Sequence, residues 1–326
     1  MLLLRFDFGL RPYSWATMAM KRYRVAGHSM TPALAPGQEV VATFTRAPGP
    51  GNVVVFEHPG RPGFWLIKRL VDASGWVLSD NPEAGDTDSR TLGAIDRKSM
   101  GTVIDTLDVT TFEEACHLLS AEDEHLAAIV DRWGLPGFWA RSPGFATLVL
   151  LILEQQVSLE SGAAMFRRLR GLVGPVTPEA VLGAGEPGLR SIGVTRQKTR
   201  YLIELAYLIV DGTLDLGGLE DLPVDEARTT LLSLHGVGAW TADAYLLSAL
   251  RRPDMWPVGD RALQVGAAET LGMTSIPSAS ELDLIGEPWR PVRAAAARLI
   301  WHAYLSKRGR VEPPDPTLAH PPSEEA

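Results

Sequence analysis

A carboxylate, Asp260, stands in a loop that prolines and a glycine break out of any helix: Arg251-Arg252-Pro253-Asp254-Met255-Trp256-Pro257-Val258-Gly259-Asp260-Arg261. Upstream lies Leu234-His235-Gly236-Val237-Gly238-Ala239-Trp240-Thr241-Ala242, an apolar residue, a Gly-x-Gly turn and a small-residue helix start. The glycines permit a tight turn and bring bare backbone N–H groups to a helix N-terminus. Such a terminus carries partial positive charge and free donors, so Gly236, Val237 and Gly238 can hold a phosphate without Lys or Arg. A second pair of reactive types sits near the start of the chain. Ser29 lies in Val25-Ala26-Gly27-His28-Ser29-Met30-Thr31-Pro32, and Lys68 follows the apolar run Phe64-Trp65-Leu66-Ile67. A serine hydroxyl is a weak nucleophile near neutral pH, and a lysine deprotonates it only where burial lowers the lysine's own pKa.

The elements that must position these residues differ along the chain. From Arg24, short β-rich runs alternate with Pro/Gly turns: Val40–Phe44, Val53–Phe56, Phe64–Ile67 and Trp76–Leu78. Beyond Thr106 the β pattern stops, and Thr110-Thr111-Phe112-Glu113-Glu114 reads as a helix start. Helix follows helix from there. Glu122 to Trp133 is amphipathic, and Phe145 to Ser158 is apolar nearly all round until it ends in Gln155-Gln156-Val157-Ser158, the pattern of a buried central helix. Four segments are expected: a lead-in without fixed structure (1–23), a small mainly β domain (24–109), an all-α domain (110–309) and a disordered Pro-rich acidic tail (310–326).

Composition bounds the reading. The 326 residues are 45% apolar and 21% charged, as in ordinary globular proteins, and suit two domains. The one cysteine, Cys116, excludes an internal disulfide and a multi-thiolate zinc or iron–sulfur site, and fits a cytoplasmic location. Charges interrupt the N-terminal leucines well before the ~20 apolar residues of a membrane span accumulate. Net charge is −8, with 12 Lys and Arg against 11 Asp and Glu in residues 1–109 and 19 against 28 beyond. The helical part is thus acidic, which counts against nucleic-acid binding, since phosphate contacts usually bring a basic surface.

Despite that charge, the hairpin, with its Pro-Val-Gly-Asp loop, resembles the helix–hairpin–helix DNA glycosylase superfamily, in particular the 3-methyladenine DNA glycosylase II type. The resemblance extends over about residues 110–309. It includes Ile152-Leu153-Glu154-Gln155-Gln156-Val157-Ser158, Gly193 to Lys198, and Pro288-Trp289-Arg290-Pro291-Val292-Arg293 into Trp301. It implies Asp260 as the catalytic aspartate, which would stabilise the sugar cation or position the attacking water, and double-stranded DNA with alkylated bases as partner. Gln156 would fill the gap left by an extruded nucleotide, or simply be a polar helix end. Lys198 would anchor phosphate, or lie on a solvated face. Trp301 would line the base pocket, with Trp240 or Tyr245 as helpers, while Trp289 reads as core. Trp240 stands where lyase-active relatives carry a nucleophilic lysine, which implies a purely hydrolytic enzyme. No cofactor or metal is implied beyond a monovalent cation that hairpin carbonyls hold in some relatives.

The β region resembles the signal-peptidase clan, most closely the short maturation proteases of nickel superoxide dismutase. Four pieces carry this in order: the Ser29 motif, Pro50–Phe56, Ile67-Lys68-Arg69, and Ser79-Asp80-Asn81-Pro82 through Asp88-Ser89-Arg90. It implies Ser29 as nucleophile, Lys68 as general base and a peptide substrate. Asp86 stands roughly where many members have a lysine-orienting serine, and a carboxylate there would raise the lysine pKa. The expected whole is a DNA glycosylase fused to a Ser/Lys peptidase-like domain. The alternatives are a protease carrying an idle DNA-binding module, and two unrelated proteins fused by chance.

Overall fold

The computed structural model describes residues 4–5, 20–84, 87–312 and 314–317. Asp86, most of the expected lead-in and residues 318–326 of the expected tail lie outside these. The chain divides into two compact units, residues 1–138 with 286–299, and residues 139–285 with 300–326.

The first unit is built on an antiparallel sheet of β1 (Leu4–Arg5), β2 (Met20–Arg24), β3 (Glu39–Thr43), β4 (Val53–Glu57), β5 (Trp65–Leu70), β6 (Val77–Leu78) and β7 (Gly101–Val103). Their order is β1-β2-β3-β7-β4-β5-β6. Side chains alternate across a strand, and here both faces are covered. Val55 and Ile67 join a cluster with Tyr23, Met30 and Val40, whereas Val54, Phe56, Leu66 and Leu70 join Val77 and Met100. That is why the strands read as continuous apolar runs. Lys68 pairs with Val54 across β4 and β5 and falls, by alternation, on the face of Leu66 and Leu70.

The sheet reaches into the expected lead-in, through β2 and β1. The first unit also extends past the expected boundary near 110. Short α1 (Ser89–Leu92) lies beside the sheet, and α2 (Val109–Glu122) and α3 (Glu124–Trp133) complete the unit. Asp108 caps α2 in a capping box with Thr111. Polar contacts from Thr45 to Glu114, Arg46 to Asp108 and Arg22 to Glu122 tie α2 to the strands. Trp289, expected as core, is 3% exposed and donates its indole N–H to the Asp123 cap of α3 at 2.8 Å.

The second unit is helical: α4 (Phe145–Glu154), α5 (Leu159–Val173), α6 (Pro178–Ser191), α7 (Arg196–Val210), α8 (Val224–Leu232), α9 (Ala239–Ser248), α10 (Arg261–Thr270) and α11 (Ala279–Gly286). The final α12 (Arg293–Ser306) has residues in both units. α4 is buried along nearly its whole length. Its last residue, Glu154, meets Arg141 through two 3.1 Å bonds with both side chains 4% exposed. Burial pushes the Glu154 carboxyl up, and Arg141 opposes it. Removing one partner of such a pair costs about 3–5 kcal/mol. Of the tail, Pro316 is buried and its carbonyl accepts from Arg170 at 3.2 Å. Among the described residues no helix is long and apolar enough to cross a membrane.

Candidate active sites

In the second unit the hairpin consists of α8, the turn around Gly236 and α9. Gly236 has φ +87°, and a Cβ there would lie 2.3 Å from ring atoms of Tyr201. Gly238 differs: its φ is −94°, it caps α9, and a Cβ would meet nothing within 4 Å. No side chain caps this end of α9, and Gly238 and Ala239 are exposed. The turn therefore offers bare N–H donors at a helix N-terminus.

Asp260 caps α10, and its Oδ1 accepts from the Leu263 N–H at 2.7 Å. Two indoles grip the same carboxylate. Trp240 donates Nε1–H to Oδ2 at 2.8 Å, and Trp301 donates to Oδ1 at 3.1 Å. Trp240 is the second residue of α9, so the acid is bonded directly to the hairpin. α10 and α12 close tightly at Gly266, where a Cβ would lie 2.8 Å from Ile300, and Trp301 is the next residue along α12. Trp139 packs edge-on to Trp301, centroids 5.5 Å apart, with the Arg141 guanidinium 5.0 Å from its own ring centre. Trp139 was missed from sequence because it lies in a turn far along the chain from Trp301.

Other expected residues take different places. Tyr245 is fully buried, and its hydroxyl accepts the Gly144 N–H at 2.8 Å. Burial pushes that hydroxyl up to about 12; Tyr245 is a core residue. Lys198 is half-buried: its Nζ donates to the Leu153 and Gln155 carbonyls at 2.8 Å each. It satisfies the C-terminal end of α4, where a cation is favoured, and burial lowers its pKa. A phosphate would have to compete with those carbonyls. Gln156 is exposed with φ +60°, a backbone costing a non-glycine residue about 1 kcal/mol. Gln155, passed over in the sequence, donates to the Gly236 carbonyl at 2.8 Å and to Thr241 Oγ1 at 2.9 Å. It thereby locks the end of α4 to the hairpin. A groove of about 370 Å³ beside this turn is lined by Leu153, Val157, Met165, Arg168 and Val194 among others. Asp260, Trp240 and Trp301 do not line it.

The two glycines respond differently to a methyl group. Gly236→Ala is expected to weaken DNA binding at least tenfold and lower Tm by several degrees, because overpacking against Tyr201 costs about 1–3 kcal/mol. Gly238→Ala is expected to leave Tm nearly unchanged while still weakening binding, because its exposed backbone stands at the uncapped start of α9. Thermal melts beside gel-shift titrations at fixed salt check both.

In the first unit Ser29, Lys68 and Asp88 are all fully buried. Lys68 Nζ lies 2.9 Å from Ser29 Oγ and 3.0 Å from Ser79 Oγ. Ser79 follows β6, and its N–H and hydroxyl face Asp88 Oδ2 at 3.3 and 3.4 Å. Arg90 clamps Asp88 through Nε and Nη2, at 2.9 and 2.6 Å. Burial works to raise the Asp88 carboxyl, but the Arg90 and Ser79 hydrogen bonds outweigh it and hold it below the usual carboxylate range. The Ser29 turn is held from the same loop. The Asn81 N–H donates to the Ser29 carbonyl at 2.9 Å, and its amide donates to the His28 carbonyl and Thr31 Oγ1 at 3.2 Å each. Nothing in the local sequence marks Ser79 as a site residue, because its partner Lys68 lies on a different strand. No cluster of metal-ligating side chains occurs among the described residues.

Comparisons with known proteins agree with both regions. Residues 149–291 match the HhH-GPD superfamily base excision DNA repair protein family, and residues 13–76 match signal peptidase, peptidase S26. The chain is 24% identical over 210 residues to DNA-3-methyladenine glycosylase 1 of Schizosaccharomyces pombe, covering 60% of this chain and 92% of that protein. It is 29% identical over 113 residues to a DNA-3-methyladenine glycosylase of Bacillus subtilis, covering 35% and 37%. It spans less than half the length of the two B. subtilis relatives it matches. Among solved structures, a DNA-3-methyladenine glycosidase from Bacillus halodurans aligns with TM-score 0.51 at 28% identity, over 60% of this chain and 91% of that one. Both family resemblances read from the sequence thus hold, as does the architecture of a small antiparallel sheet region followed by a helical HhH-GPD domain.

Proposed function

We propose that this chain is a DNA glycosylase that hydrolyses the N-glycosidic bond of alkylated, 3-methyladenine-type bases in double-stranded DNA. The observation that carries the reading is Asp260, bonded to Trp240 beside the hairpin turn and to Trp301 across from it. A base inside a duplex is out of reach, so the nucleotide is flipped out at a cost of a few kcal/mol. Gln156, on its outward-turned backbone, takes the vacated space. A purine alkylated on a ring nitrogen is cationic and leaves readily, and aromatic faces select it through cation–π contact worth about 0.5–2 kcal/mol. As the C–N bond breaks, the sugar gains oxocarbenium character opposite Asp260. Three N–H donors hold that carboxylate in place, and its charge acts on the forming sugar cation. The bond electrons leave with the base, and water completes the hydrolysis.

With Trp240 in place of an amine, no Schiff base forms at this position, so the reading is of a monofunctional enzyme in the cytoplasm that leaves the abasic strand uncut. Incubating the purified chain with methylated DNA and separating released bases by chromatography tests it. Free 3-methyladenine with an intact strand is expected. No base release would overturn the proposal.

A second reading rests on Ser29, Lys68 and Ser79 in the first unit, and it concerns a serine endopeptidase. Ser29 Oγ would attack a peptide carbonyl while its proton passes to Lys68 Nζ. The C–N bond breaks, Lys68 returns the proton to the leaving amine, and water releases the acyl group from Ser29. Two activities in one chain are compatible, because the two sets of residues do not overlap.

A further inference from the structure

The peptidase reading leaves open what turns the lysine toward Ser29, and the hydrogen-bond geometry bears on it. To act as a base, a neutral Lys68 amine has two hydrogens and one lone pair, and the lone pair must face Ser29 Oγ at 2.9 Å. Ser79 Oγ lies 3.0 Å from the same nitrogen. A serine hydroxyl has one hydrogen and two lone pairs, so it can either donate to the amine or accept from it. Were it to donate, it would occupy the lone pair and disarm the base. Asp88 decides the outcome. An ionised carboxylate only accepts, and Asp88 Oδ2 lies within reach of the Ser79 hydroxyl and receives its backbone N–H. Arg90 fixes that carboxylate through both of its oxygens.

We infer that Ser79 is the positioning residue for Lys68: Asp88 draws the Ser79 hydrogen, Ser79 therefore only accepts from Nζ, and the lysine lone pair is turned to Ser29. This rests on the peptidase reading and deepens it. Ser79 comes from the end of β6, whereas the resemblance points to position 86 for an orienting hydroxyl.

The test uses the full chain and a fluorophosphonate probe. Ser29 Oγ bonds to phosphorus, fluoride departs with its electron pair, and the serine proton passes to Lys68. Labelling of Ser29 is followed by intact-protein mass spectrometry over a range of probe concentrations. Ser79→Ala is expected to lower the maximal labelling rate about 100-fold, as misplacement of a reacting group does, with the half-saturating probe concentration unchanged. Ser79→Thr, which keeps the hydroxyl, is expected to recover most of the rate. A Ser79→Ala chain labelled as fast as wild type would overturn the positioning role alone. So would a Ser79→Thr chain that melts like wild type yet stays as slow as Ser79→Ala. If wild-type Ser29 takes no label, the peptidase reading falls and this inference falls with it.

Discussion

Asp260→Asn is expected to slow single-turnover release of 3-methyladenine from methylated DNA by about 10²–10³-fold, the usual loss when one preorganised electrostatic group is removed from a transition state. Asparagine is nearly as good a helix cap as aspartate, so α10 keeps its start. The amide has one oxygen where the carboxylate has two. With that oxygen kept on Leu263 and Trp301, the NH₂ faces the Trp240 indole N–H, donor against donor. The negative charge opposite the sugar disappears as well. Binding to methylated duplex, measured by gel shift at fixed salt, is expected to survive, because the bare amides of the hairpin turn are untouched. Release at the wild-type rate would remove Asp260 from the mechanism.

The second large effect concerns the first unit. Lys68→Met is expected to cut fluorophosphonate labelling of Ser29 by roughly 10³-fold, within the 10²–10⁴ span of general-base catalysis. Methionine is a conservative filling for a fully buried lysine stem, so the loss is not one of packing, and a thermal melt on the same sample checks this. Ser29→Ala should take no label at all. Label retained on that variant would show that another nucleophile reacts.

Much of both sites could be read from sequence because their central residues sit in short contiguous motifs. Asp260 lies in a broken loop, Trp240 in the hairpin, Ser29 beside a turn and Lys68 behind an apolar run. What could not be read depends on distant segments. Ser79 reaches Lys68 because Leu78 pairs with Arg69, a register that local pattern does not fix. Trp139 reaches Trp301 only through the folding of the second unit. The carbonyls that Lys198 satisfies lie at the end of another helix, a pairing that no local pattern shows. Tyr245, one of two candidate helpers in the base pocket, is turned to the core by its position on α9. Arg141 and Arg228 are paired with Glu154 and Asp243, which leaves the acidic excess of the helical region unchanged.

The division of the chain has a consequence for gene dissection. The sheet-bearing unit takes in Gly286–Leu299 from near the far end. Within it Pro288 accepts from Arg22 at 3.0 Å, Trp289 bonds Asp123, and Arg298 donates to Gly137 at 2.9 Å. Scissors applied once, whether at 110 or at 138, would strip that insert from its neighbours and leave both fragments damaged. Deletion mapping would then score each activity as needing the other half, even where the chemistry is independent. Silencing one site at a time by point substitution in the intact polypeptide is the cut that this fold permits.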